Sequence, residues 1–76
     1  MSQVHVRFEG QSLDYPFESI DVGELSTDQE VKQNVATAMA SDLDRPSDTI
    51  LVKLSNFRLD RNSTGDITLR PQASFG

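Results

Sequence analysis

The chain has no cysteine and only one histidine among its 76 residues. Without cysteine there is no disulfide framework, no thiolate zinc site and no cysteine nucleophile. With His5 alone, a multi-histidine metal centre within one chain is excluded. Long apolar runs are missing too. None approaches the ~18 residues of a membrane span. The opening MSQVHVRFEG has no basic region followed by an apolar stretch, so no signal peptide is expected and a cytoplasmic location is the default. Gly10, Gly23, Gly65 and Gly76 are too scattered to form a phosphate-cradling loop. Basic residues are in deficit: the formal net charge is −5, which argues against general nucleic-acid binding.

Catalytic groupings are equally sparse. His5 alternates with apolar neighbours and falls on the polar side of its segment, where it reads as a surface residue with no nucleophile or acid in a set around it. The stretch Asp60 to Asp66 (DRNSTGD) has oxygen-bearing side chains and a glycine but lacks the terminal glutamate of a calcium loop. The expectation is a non-enzymatic protein with no metal and no cofactor.

What is present is one strong helical signal. In LSTDQEVKQNVATAMASDL, Leu25 to Leu43, the residues Val31, Val35, Met39 and Leu43 recur every four positions and so line one side of a helix. The start carries two overlapping capping-box registers, Ser26 with Gln29 or Thr27 with Glu30, and the sequence does not choose between them. Asp28 and Glu30 place negative charge at the positive end of the helix dipole. Pro46 marks the stop, because it biases Arg45 away from helical angles. The apolar stripe is expected to pack on a sheet.

The flanks read as strands. Val4, Val6 and Phe8 alternate with His5, Arg7 and Glu9, and Leu13, Tyr15 and Phe17 alternate with Asp14, Pro16 and Glu18. Gly10-Gln11-Ser12 reads as the turn of a hairpin between them. Pro16 cannot donate to a ladder, which puts the second strand at an edge or Pro16 at a bulge. After the helix, Thr49 to Leu54 (TILVKL) reads as a third strand, its run Ile50-Leu51-Val52 suggesting burial on both faces. Phe57 and Leu59 suggest a short extra strand, and Ile67 and Leu69 a last one ended by Pro71.

A hairpin, one long helix, further strands and a tail ending in glycine resemble the ubiquitin-like β-grasp family in order and length. The resemblance implies a single α+β domain over residues 1–76. It implies a mixed four- to five-stranded sheet with one helix packed across it, strands 1 and 4 parallel at the centre, and a short flexible tail from about residue 71 to 76. Members that are conjugated or that carry sulfur use the C-terminal glycine carboxylate, which an activating enzyme adenylates. Gly76 stands at the matching position. Such tails usually end in two glycines. Here Phe75 precedes Gly76, and its benzyl group either needs a different activating enzyme or rules the chemistry out.

The family's other use is as a protein-docking module, in which an apolar patch on the outer sheet face is flanked by basic residues. Lys53, Phe57, Arg58, Arg61 and Arg70 are the candidates here, with one of Leu51 or Val52. Charge is distributed to suit: residues 1–44 hold Arg7 and Lys32 against nine acids, and residues 45–76 hold five basic residues against three acids. A mildly basic face on an acidic molecule can steer a partner. The resemblance thus implies a monomeric protein-binding module, with an activating enzyme among its candidate partners. The alternative is an accessory subunit or sulfur-carrier-like protein serving a larger enzyme.

Overall fold

The computed structural model of the chain describes residues 2–72. Four strands, β1 (Gln3–Phe8), β2 (Gln11–Pro16), β3 (Phe57–Arg61) and β4 (Ile67–Pro71), form one mixed sheet in the order β2-β1-β4-β3. The central pair β1 and β4 is parallel, and both outer pairs are antiparallel. Two helices, α1 (Asp28–Leu43) and α2 (Ser47–Leu54), connect β2 to β3. The architecture is α+β.

Alternation decides which face is covered. Val4, Val6, Phe8, Tyr15, Ile67 and Leu69 are buried, and the register aligns Val4 with both Tyr15 and Ile67 and Val6 with both Leu13 and Leu69. They share one core with Val31, Val35, Ala36 and Met39 of α1 and Ile50 and Leu54 of α2. Both helices therefore cover the same side of the sheet. The buried side chains among the described residues are all apolar. Polar ties run along the edges of this core. The Tyr15 hydroxyl donates to Asp42 at 2.8 Å, joining the outer hairpin strand to the last turn of α1. Burial first, and the Asp42 carboxylate second, raise the phenol's pKa and keep it a donor. Lys32 Nζ donates to the Phe57 carbonyl at 3.0 Å, fixing α1 to the start of β3.

Local chemistry explains the boundaries. The helix begins at Asp28, later than Leu25, because Thr27 is the N-cap. Its side chain accepts from the Glu30 N–H at 3.1 Å, and the Glu30 carboxylate accepts from the Thr27 N–H at 3.2 Å. Ser26 is used differently, its hydroxyl accepting from the Gly23 N–H at 2.9 Å. Asp44, at φ 54°, ends α1 in the left-handed region that short polar residues tolerate. The hairpin turn is Glu9-Gly10, at φ 51° and 80°, one position earlier than expected. Two positive φ angles in a two-residue loop match the right-handed twist of the strands they join. Phe17–Ser19 leaves the strand for one 3-10 turn, so β2 stops at Pro16, on the sheet edge where a missing N–H costs nothing.

The largest correction concerns TILVKL. It is helical, and the described residues form two α-helices and four strands where one helix and a third strand over Thr49 to Leu54 were expected. The segment buries Ile50 and Leu54, four apart, and leaves Val52 68% exposed. A strand would have put all three on one face. The third strand is instead the short one around Phe57 and Leu59.

Candidate functional site

Among the described residues the side of the sheet opposite the helices is open to solvent, and it carries two groups of ion pairs, one around His5 and one around Asp60. Its residues are those that alternate with the core: His5 and Arg7 of β1, Ser12 and Asp14 of β2, Arg58 and Asp60 of β3, Thr68 and Arg70 of β4. Pairing sorts them into two rows. Asp14, His5, Thr68 and Asp60 are aligned across all four strands. One pleat further, Ser12 is aligned with Arg7 and Arg70 with Arg58. The parallel register, one step beyond Val6 and Leu69, sets Arg7 beside Arg70. Three arginines from three adjacent strands thus form one line.

In the first row, His5 is held between two carboxylates. Nδ1 lies 2.7 Å from Asp14 Oδ1, and Nε2 lies 3.2 Å from Asp66 Oδ2. Asp66 also accepts from the Gln3 N–H at 3.0 Å. Hydrogen bonds to Asp14 and then Asp66 raise the imidazole above its ordinary pKa of 6.5. The Gln3 N–H, followed by His5, holds the Asp66 carboxyl below its ordinary range. Both ring nitrogens are engaged by carboxylates, so the imidazole is suited to keep its proton and ill suited to take one from a nucleophile. Among the described residues, no three histidine, aspartate or glutamate side chains are grouped to hold a metal ion.

The second row takes its shared counter-ion from the first: the Asp60 carboxylate reaches across to two of its arginines. Arg58 Nε lies 3.1 Å from one of its oxygens, and an Arg70 terminal nitrogen lies 2.8 Å from the other. Arg7 is exposed and makes no ion pair among the described residues.

The five residues expected to form a docking patch are not brought together. Arg58 and Arg70 are paired across β3 and β4 on the open face. Phe57 is turned to the covered side, half-buried, its ring centroid 6.0 Å from that of Phe8. Arg61 reaches the start of α1, donating to the Ser26 carbonyl at 2.7 Å and to Asp28 at 3.2 Å. Lys53 belongs to α2 and pairs with Glu9 at 2.7 Å, its ammonium 5.7 Å from the Phe8 ring centroid. Arg45 binds the same Glu9 carboxylate, and the two cations hold its pKa at about 2. Leu51 and Val52 are on α2, away from the sheet's open face. That face is polar, with no apolar patch among its described residues. The open-face residue missed from sequence is Arg7. Its alternation with Val6 and Phe8 indicated a polar face, but only the parallel pairing reveals its neighbours.

Gly76 and Phe75, and the tail beyond Gln72 generally, lie outside the described residues. Pro71, expected to open the flexible tail, is the last residue of β4 and is aligned with Phe57. Among the described residues no helix is long and apolar enough to cross a membrane. No family model, curated protein or solved structure matches the chain.

Proposed function

We propose that this is a ubiquitin-like β-grasp domain that works without catalysis of its own, by binding a protein partner through the open face of its sheet. The observation that carries the reading is the strand order β2-β1-β4-β3 with a parallel centre and both helices on one side. Among the described residues nothing covers the other face of the sheet. The face bears paired charges, His5 with Asp14 and Asp66 and Asp60 with Arg58 and Arg70, together with Arg7, which has no ion-pair partner among the described residues. Four strands give it a width of about 15 Å at ~4.8 Å per strand, enough for one extended segment or one side of a small domain.

A photo-crosslinking amino acid at Ser12, on the open face, is compared in cells with one at Gln33, on the exposed side of α1. The reading expects one reproducible adduct from Ser12 that Gln33 does not give. Equal capture from both positions removes the open face as the docking surface. The tail chemistry is tested separately, by incubation with ATP and a ubiquitin-like activating enzyme from the same cells, followed by intact mass. An adduct lost on deleting Gly76 assigns acyl activation to that carboxylate. No adduct, or one that survives the deletion, removes it.

A further inference from the structure

Resting on the reading of the open face as a docking surface, we infer that the row Arg7–Arg70–Arg58 receives an extended acidic segment of a partner protein, and that Asp60 occupies this row until it binds.

The placement of the arginines is the first ground. Arg58 and Arg70 are aligned directly across an antiparallel pair, where like charges repel. They project to solvent and fill no core, so the fold has no packing use for them. Arg7 extends the line onto β1. Strands spaced ~4.8 Å apart put the first and last of the three about 10 Å from each other.

The charge balance is the second. Three guanidiniums face one carboxylate, that of Asp60, which two of them share at 3.1 and 2.8 Å. The nearby carboxylates of Asp14 and Asp66 are taken by His5 at 2.7 and 3.2 Å. Three guanidiniums against Asp60 leave the row itself positive, and with His5 protonated between Asp14 and Asp66 the open face as a whole keeps one positive charge, on a chain of net charge −5.

The third ground is that the row already demonstrates its ligand. Asp60 presents one oxygen to each of two neighbouring guanidiniums and so bridges them, each arginine making a single charged contact to the carboxylate. A partner's carboxylate has the same chemistry. In an extended segment, acidic residues at alternate positions project from one side about 7 Å apart, within reach of neighbouring arginine heads. A long polyanion fits less well. The net charge of −5 opposes a ligand that lies across more of the surface than the row, whereas a short segment confined to the row meets chiefly the charges within a Debye length of ~8 Å.

The test is an amide and arginine-Nε NMR titration of the full 15N-labelled chain. The probe is a blocked seven-residue peptide with glutamate at alternate positions, and its lysine counterpart is the control. Shifts are expected at Arg7, Arg58 and Arg70 and along β1, β4 and β3, fading as salt rises. Arg7→Glu with Arg70→Glu should weaken binding at least tenfold. Asp60→Asn should tighten it several-fold, because the internal competitor is gone. A gain on removing a charged side chain is not an outcome of misfolding, and the amide spectrum of each variant checks the fold. No shifts at millimolar peptide, unchanged affinity in Asp60→Asn, or tighter binding of inorganic phosphate or a single-stranded oligonucleotide overturns the inference. A specific Ser12 crosslink to a protein lacking an acidic stretch, with no peptide binding, defeats the acidic segment while leaving the docking face in place.

Discussion

His5 and Asp66, 61 residues apart in sequence, come within 3.2 Å across the open face, and Asp14 engages the other ring nitrogen at 2.7 Å. Only the doubly protonated imidazolium donates to both. Its folded pKa stands above 6.5, through the hydrogen bonds to Asp14 and then Asp66. The stability it contributes is therefore complete below about pH 6.5 and is lost as pH rises through the raised value. Asp66 has the opposite sign. Its pKa is lowered from 3.8, by the Gln3 N–H and then His5, so its contribution is present above about pH 4 and is lost as pH falls through the lowered value. The clamp is at full strength between those limits. Urea midpoints at pH 5.5 and pH 8.5 should differ in favour of the lower pH, and His5→Gln should shrink the difference. An equal pH dependence in the variant would remove His5 as its source.

Thr27 supplies the second prediction. It accepts from the Glu30 N–H and donates its own N–H to the Glu30 side chain. Thr27→Ala should cost about 1 kcal/mol, which for a domain of this size lowers Tm by roughly 4–8 °C. Thr27→Ser should recover most of it. Ser26→Ala, which loses one exposed hydrogen bond from Gly23, should stay within about 0.5 kcal/mol. Reversed magnitudes would show that the helix starts in the other register.

The features that local chemistry determines are those the sequence exposes. Alternation around Val4, Val6 and Phe8 marks β1 and its two faces, and the four-residue recurrence of Val31, Val35 and Met39 marks the buried side of α1. The second helix is hidden because Thr49, Ile50 and Val52 are β-branched and the run is only eight residues long, where strand and helix patterns coincide. Its signals were nonetheless present. Asp48 in the first turn and Lys53 in the last suit a helix dipole, and Pro46 stands at the N-cap of α2, without a side-chain capping bond, rather than merely beyond the end of α1. Of the open-face arginine row, Arg58 and Arg70 were visible as basic strand residues. Arg7 was visible as a polar strand residue too, but its place beside them was not, because its neighbours come from pairing across more than sixty residues of chain, and no local pattern encodes register.

Val52 and Leu54 test the helical assignment of TILVKL directly. On a strand they share a face and both substitutions cost alike. On α2, Val52 is exposed and Leu54 fully buried. Val52→Glu should then stay within about 0.5 kcal/mol, and Leu54→Ala should cost ~2–5 kcal/mol. Total stability for a chain of this length is on the order of 4–11 kcal/mol, so Leu54→Ala should move the urea midpoint far toward zero or abolish the folded baseline. A comparably severe loss from Val52→Glu would contradict the helix.

The hairpin turn makes the last prediction, and it separates backbone strain from packing. Gly10 sits at φ 80°, and a Cβ added there meets nothing within 4 Å. Any penalty for Gly10→Ala is therefore conformational, about 1–2 kcal/mol for an L-residue held in the left-handed region. Gly10→Asn should cost less, since a short amide side chain tolerates that region. A D-alanine placed at the same position by chemical synthesis has the same methyl group with the preferred sign of φ reversed, and should restore the urea midpoint to that of the glycine chain. The register depends on this turn. Glu9, at φ 51°, presents its carboxylate to Arg45 at 2.9 Å and Lys53 at 2.7 Å, joining the hairpin to the helical layer. If Gly10→Ala and the D-alanine chain prove equally destabilised, the loss arises from the methyl group and not from φ, and the two-residue turn placed at Glu9-Gly10 is wrong.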